Sequence, residues 1–200
     1  MVIGITGGIC CGKSTVSKII GDKGYFVIDT DSRAKFIMNN DEEVKNKIIE
    51  YFGAQSYQSD GYLNSSFISK IVFDNDSHDS IEKLNSIVHP KVIDYMMEET
   101  QKCDEKGISP VFIESALIYE AGLEDGFDYI ICVAANEEIC IDRIMSRFDI
   151  NRERAHNRFN SQLPIVEKRE LSDFIIENNN TFDNLKSATE FILDIILNLN

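Results

Sequence analysis

Residues 7 to 14 read Gly-Gly-Ile-Cys-Cys-Gly-Lys-Ser, and Thr15 follows. The spacing G-x-x-x-x-G-K-[ST] is complete, and at this chain's residue frequencies chance supplies about 0.004 such matches. The apolar run Val2 to Thr6 precedes it, and a helical pattern with Val16, Ile19 and Ile20 on one face follows, before Gly21 and Gly24. A buried strand turning through glycines into a helix brings backbone N–H groups and the positive helix end to one point, a cradle for phosphate. In such a cradle Lys13 reaches the β- and γ-phosphates as a point charge, the Ser14 hydroxyl suits Mg²⁺, and Thr15 lies at the α-phosphate. The competing reading is a glycine-rich turn beside a helix that happens to begin Lys-Ser-Thr.

Four more short, β-branched runs recur: Tyr25 to Ile28, Val111 to Ile113, Tyr129 to Val133 and Phe174 to Ile176. Continuous apolar runs are what strands covered on both faces require. Between them the period is helical, as in Leu185, Thr189, Ile192, Ile196 and Leu199 at the C-terminal end. Alternating strand and helix predicts an α/β fold around a parallel five-stranded sheet. Between the second and third runs lies a long stretch with Val44, Ile48, Tyr51 and Phe52, then Ile81, Leu84, Ile87 and Val88, at helical spacing. It is long enough for a helical subdomain, with Pro90 placed to start another helix. Residues 143 to 169 hold six of the seven arginines and a net charge of +4, leaving -18 elsewhere. Arg143 and Arg147 share a helical face, and Arg152, Arg154 and Arg158 follow a turn expected at Asp149 to Asn151. Guanidinium groups gathered in an acidic chain supply the field a polyanion needs, so the segment reads as a lid. The alternative is a solvated basic helix paired with the acidic body.

Composition excludes other classes. Thirty-four acidic against twenty basic residues give -14, which disfavours nucleic acid and anionic membrane as partners. The longest apolar run, Tyr129 to Ala135, falls far short of the roughly 20 residues that span a bilayer. No basic, apolar leader opens the sequence, so a cytosolic protein is expected. The five cysteines are odd in number and hold no C-x-x-C pair, which fits reduced thiols and no structural metal. With 43% hydrophobic residues in 200 and no repeat or low-complexity linker, one folded domain is expected.

A phosphate cradle alone does not fix a reaction. Guanine recognition through N-K-x-D is absent; the nearest match, Asn46-Lys47-Ile48-Ile49, lacks the acid. Asp29 and Asp31 follow the second apolar run, at the carboxyl edge of a parallel sheet. One carboxylate can take the proton from an attacking hydroxyl and the other can hold Mg²⁺ through water, or the Asp-Thr-Asp segment caps a helix carrying Ala34, Ile37 and Met38. Glu114, ending Val111-Phe112-Ile113, is a second candidate for the metal's hydration shell, although strands often end in Glu. His89, before Pro90, reads from its position as a packing or capping residue. Cys10 and Cys11 sit beside Lys13 and a helix N-terminus, an environment that lowers a thiol pKa, and their alkylation is expected to block nucleotide binding.

With those residues in view, the chain resembles the dephospho-CoA kinase family from residue 2 to about 185. The likeness rests on Gly4-Ile5-Thr6-Gly7-Gly8-Ile9, Val27-Ile28-Asp29-Thr30-Asp31, Leu84-Asn85-Ser86-Ile87-Val88-His89-Pro90 and Leu117-Ile118-Tyr119-Glu120. It extends to Arg143, Arg147, Arg158, Gln162, Pro164, Glu167-Lys168-Arg169 and Asp173 to Asn178. The resemblance implies a P-loop NTPase three-layer fold, with a core of 1–31, 106–142 and 169–200, a CoA-binding helical subdomain of 32–105 and a small helical lid of 143–168. It implies transfer of the ATP γ-phosphate to the ribose 3′-hydroxyl of dephospho-CoA with Mg²⁺, and no obligate protein partner. ATP would be bound by Gly7, Gly8, Cys10, Cys11, Gly12, Lys13, Ser14 and Thr15. Asp31, Lys13, Arg143 and Arg147 would be catalytic, Asp31 as base; Asp31 and His89 would meet the acceptor. Ser14 would ligate Mg²⁺, with Asp29 or Glu114 acting through water. Three positions depart from the family pattern: Cys10-Cys11 replaces Gly-Ser, Glu114-Ser115-Ala116-Leu117-Ile118 replaces Asp-hydrophobic-Pro-Leu-Leu, and Phe148 replaces an Asp. The runners-up are a nucleoside monophosphate kinase and a nucleotide-switched binding module.

Overall fold

A computed structural model describes residues 1–74 and 78–199; residues 75–77, within the expected helical subdomain, and Asn200 lie outside them. The described residues form two compact units, Met1–Asp29 with Glu99–Asn200, and Thr30–Glu98.

All five apolar runs are strands of the first unit: β1 (Val2–Gly7), β2 (Phe26–Asp29), β3 (Val111–Glu114), β4 (Tyr129–Ala134) and β5 (Phe174–Glu177). They pair in parallel in the order β2-β3-β1-β4-β5. Parallel neighbours need crossovers, here supplied by α1 (Lys13–Asp22), α6 (Glu137–Phe148), α7 (Arg152–Phe159) and α8 (Ile165–Leu171), with α9 (Phe182–Leu197) closing the chain. Alternate strand residues face opposite sides of the sheet. On one side Ile3, Ile5, Phe112, Ile131, Val133 and Ile176 pack with Val16, Ile19 and Ile20 of α1 and Leu185, Leu193 and Ile196 of α9. On the other, Gly4 leaves no room for a side chain: a Cβ there would lie 2.8 Å from Ile118 Cδ1 and 3.1 Å from the Phe127 ring. The result is a three-layer α/β fold. Both faces are apolar because both are covered, which is why these strands read as runs and not as alternation.

The second unit is helical: α2 (Thr30–Asn40), α3 (Glu42–Phe52), α4 (Ser65–Asp74) and the first part of α5 (His78–Glu105). Its interior holds Ile37, Val44, Ile48, Phe52, Ile68, Val72, Ile87, Val88, Val92 and Met96. Asp41 caps α3, accepting from the Val44 N–H at 3.0 Å, and the Tyr57 hydroxyl ties the following loop to the Met38 carbonyl at 2.7 Å. Pro90 does not open a new helix as the sequence suggested. It lies inside α5, because the buried stripe Ile87, Val88, Val92, Met96 continues across it, and that packing outweighs the one backbone hydrogen bond a proline cannot donate. Among the described residues no helix is long and apolar enough to cross a membrane.

Candidate active site

In a parallel sheet every strand ends at the same edge, and here that edge collects the loop after β1, Asp29, Glu114 and the segment after β5. The loop's shape depends on two glycines. Gly7 has φ 144° and Gly12 φ 105°. A Cβ on Gly7 would overlap the Val133 carbonyl oxygen, and one on Gly12 would overlap the Asn178 amide. Cys10 also sits in the left-handed region, at φ 59°. A residue with a Cβ there stores about 1 kcal/mol of strain, and what keeps it in place is visible around it. Arg143 donates from one guanidinium nitrogen to the Cys10 carbonyl at 3.3 Å and from another to the Asn178 carbonyl at 3.2 Å. The Asn178 side chain donates to the Cys11 carbonyl at 2.8 Å, and Gln162 accepts from the Ile9 N–H at 2.8 Å. The Cys10 and Cys11 carbonyls are thus held by side chains from α6 and from the segment after β5.

Lys13 opens α1, and its side chain is buried; Nζ donates to the Gly7 and Gly8 carbonyls at 3.1 and 3.0 Å, beside the turn itself. Gly12 precedes the helix with no side-chain cap and no acid in the first turn, so the N-terminal donors and helix dipole stay unscreened. The Ser14 hydroxyl donates to Glu114 Oε1 at 2.8 Å. Glu114 is buried at the end of β3, and Asp29 is its register partner across β2. Hydroxyl and carboxylate oxygens are the hard donors Mg²⁺ takes, and it keeps most of its shell as water and substrate phosphate. The set fits that ion. It fits nothing that needs a full protein cage, since among the described residues no three His, Cys, Asp or Glu side chains cluster as a metal site.

The arginines divide. Arg143 braces the loop, while Arg147 and Arg158 flank the Phe148 ring, at 5.6 and 4.3 Å from its centroid. Arg147 is exposed, and Arg158 is buried. Arg152 pairs with Glu138 and lies near Asp142, and Arg169 pairs with Glu177. The arginines of the segment thus have different partners: backbone carbonyls for Arg143, an aromatic ring for Arg147 and Arg158, and carboxylates for Arg152 and Arg169. Asp31 and His89 belong to the second unit, Asp31 in the first turn of α2 and His89 half-buried in α5.

Residues 1–184 match the dephospho-CoA kinase family. The chain belongs to that family. A dephospho-CoA kinase of Fusobacterium nucleatum subsp. nucleatum is 37% identical over 196 residues, 98% of either chain. One of Listeria innocua serovar 6a is 35% identical over 196 residues, 98% of this chain and 97% of its own. The solved dephospho-CoA kinase from Campylobacter jejuni superposes with a TM-score of 0.69 at 27% identity, covering 98% of this chain and 96% of its own. The chain is accordingly a kinase, of a family whose reaction is ATP-dependent phosphorylation of dephospho-CoA, the last step of coenzyme A biosynthesis.

For a dephospho-CoA kinase the frame around the loop carries as much information as the loop. Asn178, Gln162 and the pair of Lys168 with Glu120 were assigned no role from sequence. Lys168 is fully buried at the start of the return to β5; Nζ meets Glu120 Oε1 at 2.7 Å and donates to the Ala116 carbonyl at 2.6 Å. Burial lowers its pKa, and Glu120 opposes that shift. Glu120 also accepts from the Leu163 N–H at 3.0 Å. In the sequence Lys168 stands within Glu167-Lys168-Arg169, one of the stretches that carry the resemblance, and a lysine among charged neighbours ordinarily marks a solvated face.

Proposed function

We propose that this chain transfers the γ-phosphoryl group of ATP to the ribose 3′-hydroxyl of dephospho-CoA, in the cytosol and with Mg²⁺. The observation that carries the reading is the Ser14–Glu114 contact at the edge that also holds the Lys13 ammonium and the N-terminus of α1. A hydroxyl, a buried carboxylate and a cation are set beside donors that converge on one anion.

The loop of Gly7, Gly8, Cys10, Cys11, Gly12, Lys13, Ser14 and Thr15 holds the triphosphate through backbone donors, with the glycines admitting the close approach. Lys13 exchanges two loop carbonyls for β- and γ-phosphate oxygens, trading neutral partners for charged ones, which makes the stronger hydrogen bonds. Arg143 keeps the loop in shape, and Arg147, which makes no ion pair among the described residues, brings its charge to the transferring group. Ser14 would hold Mg²⁺ directly and Asp29 or Glu114 would hold it through water. The ion would supply positive charge against the negative charge of the phosphates during transfer. Asp31 takes the proton from the 3′-hydroxyl as that oxygen attacks, and His89 meets the acceptor. An alcohol acceptor needs such a base, whereas a phosphate acceptor is already ionised.

Asp31→Asn separates these roles. With dephospho-CoA as acceptor, kcat is expected to fall by about 10² to 10⁴ while the ATP dissociation constant holds. An unchanged kcat would remove Asp31 from the reaction.

A further inference from the structure

Cys11 in the phosphate loop and Cys140 on α6 place their sulfurs 3.2 Å apart. Both are free thiols and both are fully buried, in a small cluster completed by Ala135, with Phe159 and Ile165 packed against it. The neighbouring Cys10 turns elsewhere, toward Ile141 and Ile144. The two sulfurs differ in character. The Cys140 hydrogen bond does most to lower Cys11, to about 7 against the opposing effect of burial, helped by the Lys13 charge and by backbone hydrogen bonds from Ala135 and Gly8. The same contact, together with burial, pushes Cys140 upward, with Arg143 nearby opposing it. Cys132, the third thiol facing this point, is raised by burial to about 12. The two sulfurs stand at contact distance across the loop and α6, the spacing of an attacking and a resolving thiol, with Cys11 the one shifted toward the thiolate. Nothing in phosphoryl transfer uses it.

We propose that Cys11 and Cys140 are a reversible oxidation site, closed to a disulfide by hydrogen peroxide, and that the bond switches off nucleotide binding. The Cys11 thiolate attacks one peroxide oxygen; the O–O bond breaks, and hydroxide leaves and becomes water. Cys11 is then a sulfenic acid. The Cys140 sulfur attacks it, the S–O bond breaks, and the Cys140 proton leaves with the departing hydroxide as a second water. Two thiols lose two electrons and one peroxide gains them. Closing 3.2 Å to a bond of about 2.05 Å draws the loop about 1 Å toward α6. That pulls the Cys11 carbonyl from the Asn178 amide, which lies after β5 and does not move with α6. Misplacement of that order takes backbone donors out of good hydrogen-bond geometry with a phosphate.

The test treats the reduced full chain with hydrogen peroxide, blocks residual thiols with iodoacetamide, digests without reductant and sequences linked peptides by fragmentation. ATP binding is measured on portions of the intact protein withdrawn after peroxide and before iodoacetamide and digestion. A Cys11–Cys140 link, a drop in ATP affinity of at least about tenfold and recovery with dithiothreitol are expected. Cys140→Ala should bind ATP normally when reduced and show no recoverable loss after peroxide. A Cys10–Cys11 link, no link at all, or a Cys11–Cys140 link that leaves ATP affinity unchanged would each overturn the proposal. So would a recoverable loss of the same size in Cys140→Ala. The mapping on the unsubstituted chain stands even if that variant folds poorly, and since mass and ATP binding are read without an acceptor, the result is independent of the acceptor's identity.

Discussion

Gly12 illustrates how narrowly one position is set. Its φ of 105° and the Asn178 amide against it leave no room for a methyl group. Gly12→Ala therefore has to displace Asn178, which loses its bond to the Cys11 carbonyl. The expected outcome is a loss of about 2 kcal/mol in stability, since a strained φ and an unmade buried hydrogen bond each cost about 1 to 3 kcal/mol. ATP affinity should drop with it; a melt and a binding isotherm on the same variant check both. Cys10 is the opposite case. It carries a Cβ at φ 59° and is tolerated, because its side chain packs against Ile141 and Ile144 while Arg143 holds its carbonyl. The requirement for glycine at 7 and 12 was legible in the motif. The partner that enforces it at 12, Asn178, lies 166 residues away and was not.

Two connections between elements make separate predictions. Lys168 ties α8 to the segment after β3 through Glu120 and the Ala116 carbonyl, with no exposure to water. Lys168→Met leaves the buried Ala116 carbonyl without its donor and removes the charge facing Glu120, so it should destabilise the fold by about 1 to 3 kcal/mol, read as a lowered unfolding midpoint. In the helical unit Lys91 of α5 reaches Asp41 and Glu43 at the start of α3, and Lys47 pairs with Glu43 one turn on. Hydrogen bonds from Lys47 and then Lys91 lower Glu43 from 4.5 to about 2. A depressed carboxylate contributes stability above its ordinary pKa and loses it as pH falls through the folded value. The difference in unfolding midpoint between the unsubstituted chain and Glu43→Gln should thus be full above pH 4.5 and vanish by about pH 2. A difference that does not change with pH would show that the pair contributes nothing. Strands were legible to within a residue or two because a strand buried on both faces has to be apolar throughout. Helix α5 was misread at Pro90 because a local rule about proline gave way to a buried stripe that only the packing reveals.

Across the whole molecule, the sequence conveys what is contiguous and hides what is assembled. The loop of residues 7–15 was complete in one line of text. The strand order β2-β3-β1-β4-β5, which sets Glu114 between Asp29 and the loop, comes from crossovers that composition does not encode. The arginine-rich segment was visible as charge, but its division was not: Arg143 on the loop, Arg147 and Arg158 at Phe148, Arg152 and Arg169 on carboxylates. Distance along the chain also hid the Cys11–Cys140 contact. The central claim concerns what receives the phosphoryl group, and one coupled assay of ADP formation addresses it, with dephospho-CoA, AMP, CMP and dTMP as alternative acceptors under saturating ATP and Mg²⁺. Turnover with dephospho-CoA alone is predicted. Equal or faster turnover with any of the three monophosphates, or ADP release indifferent to every acceptor, would contradict the account.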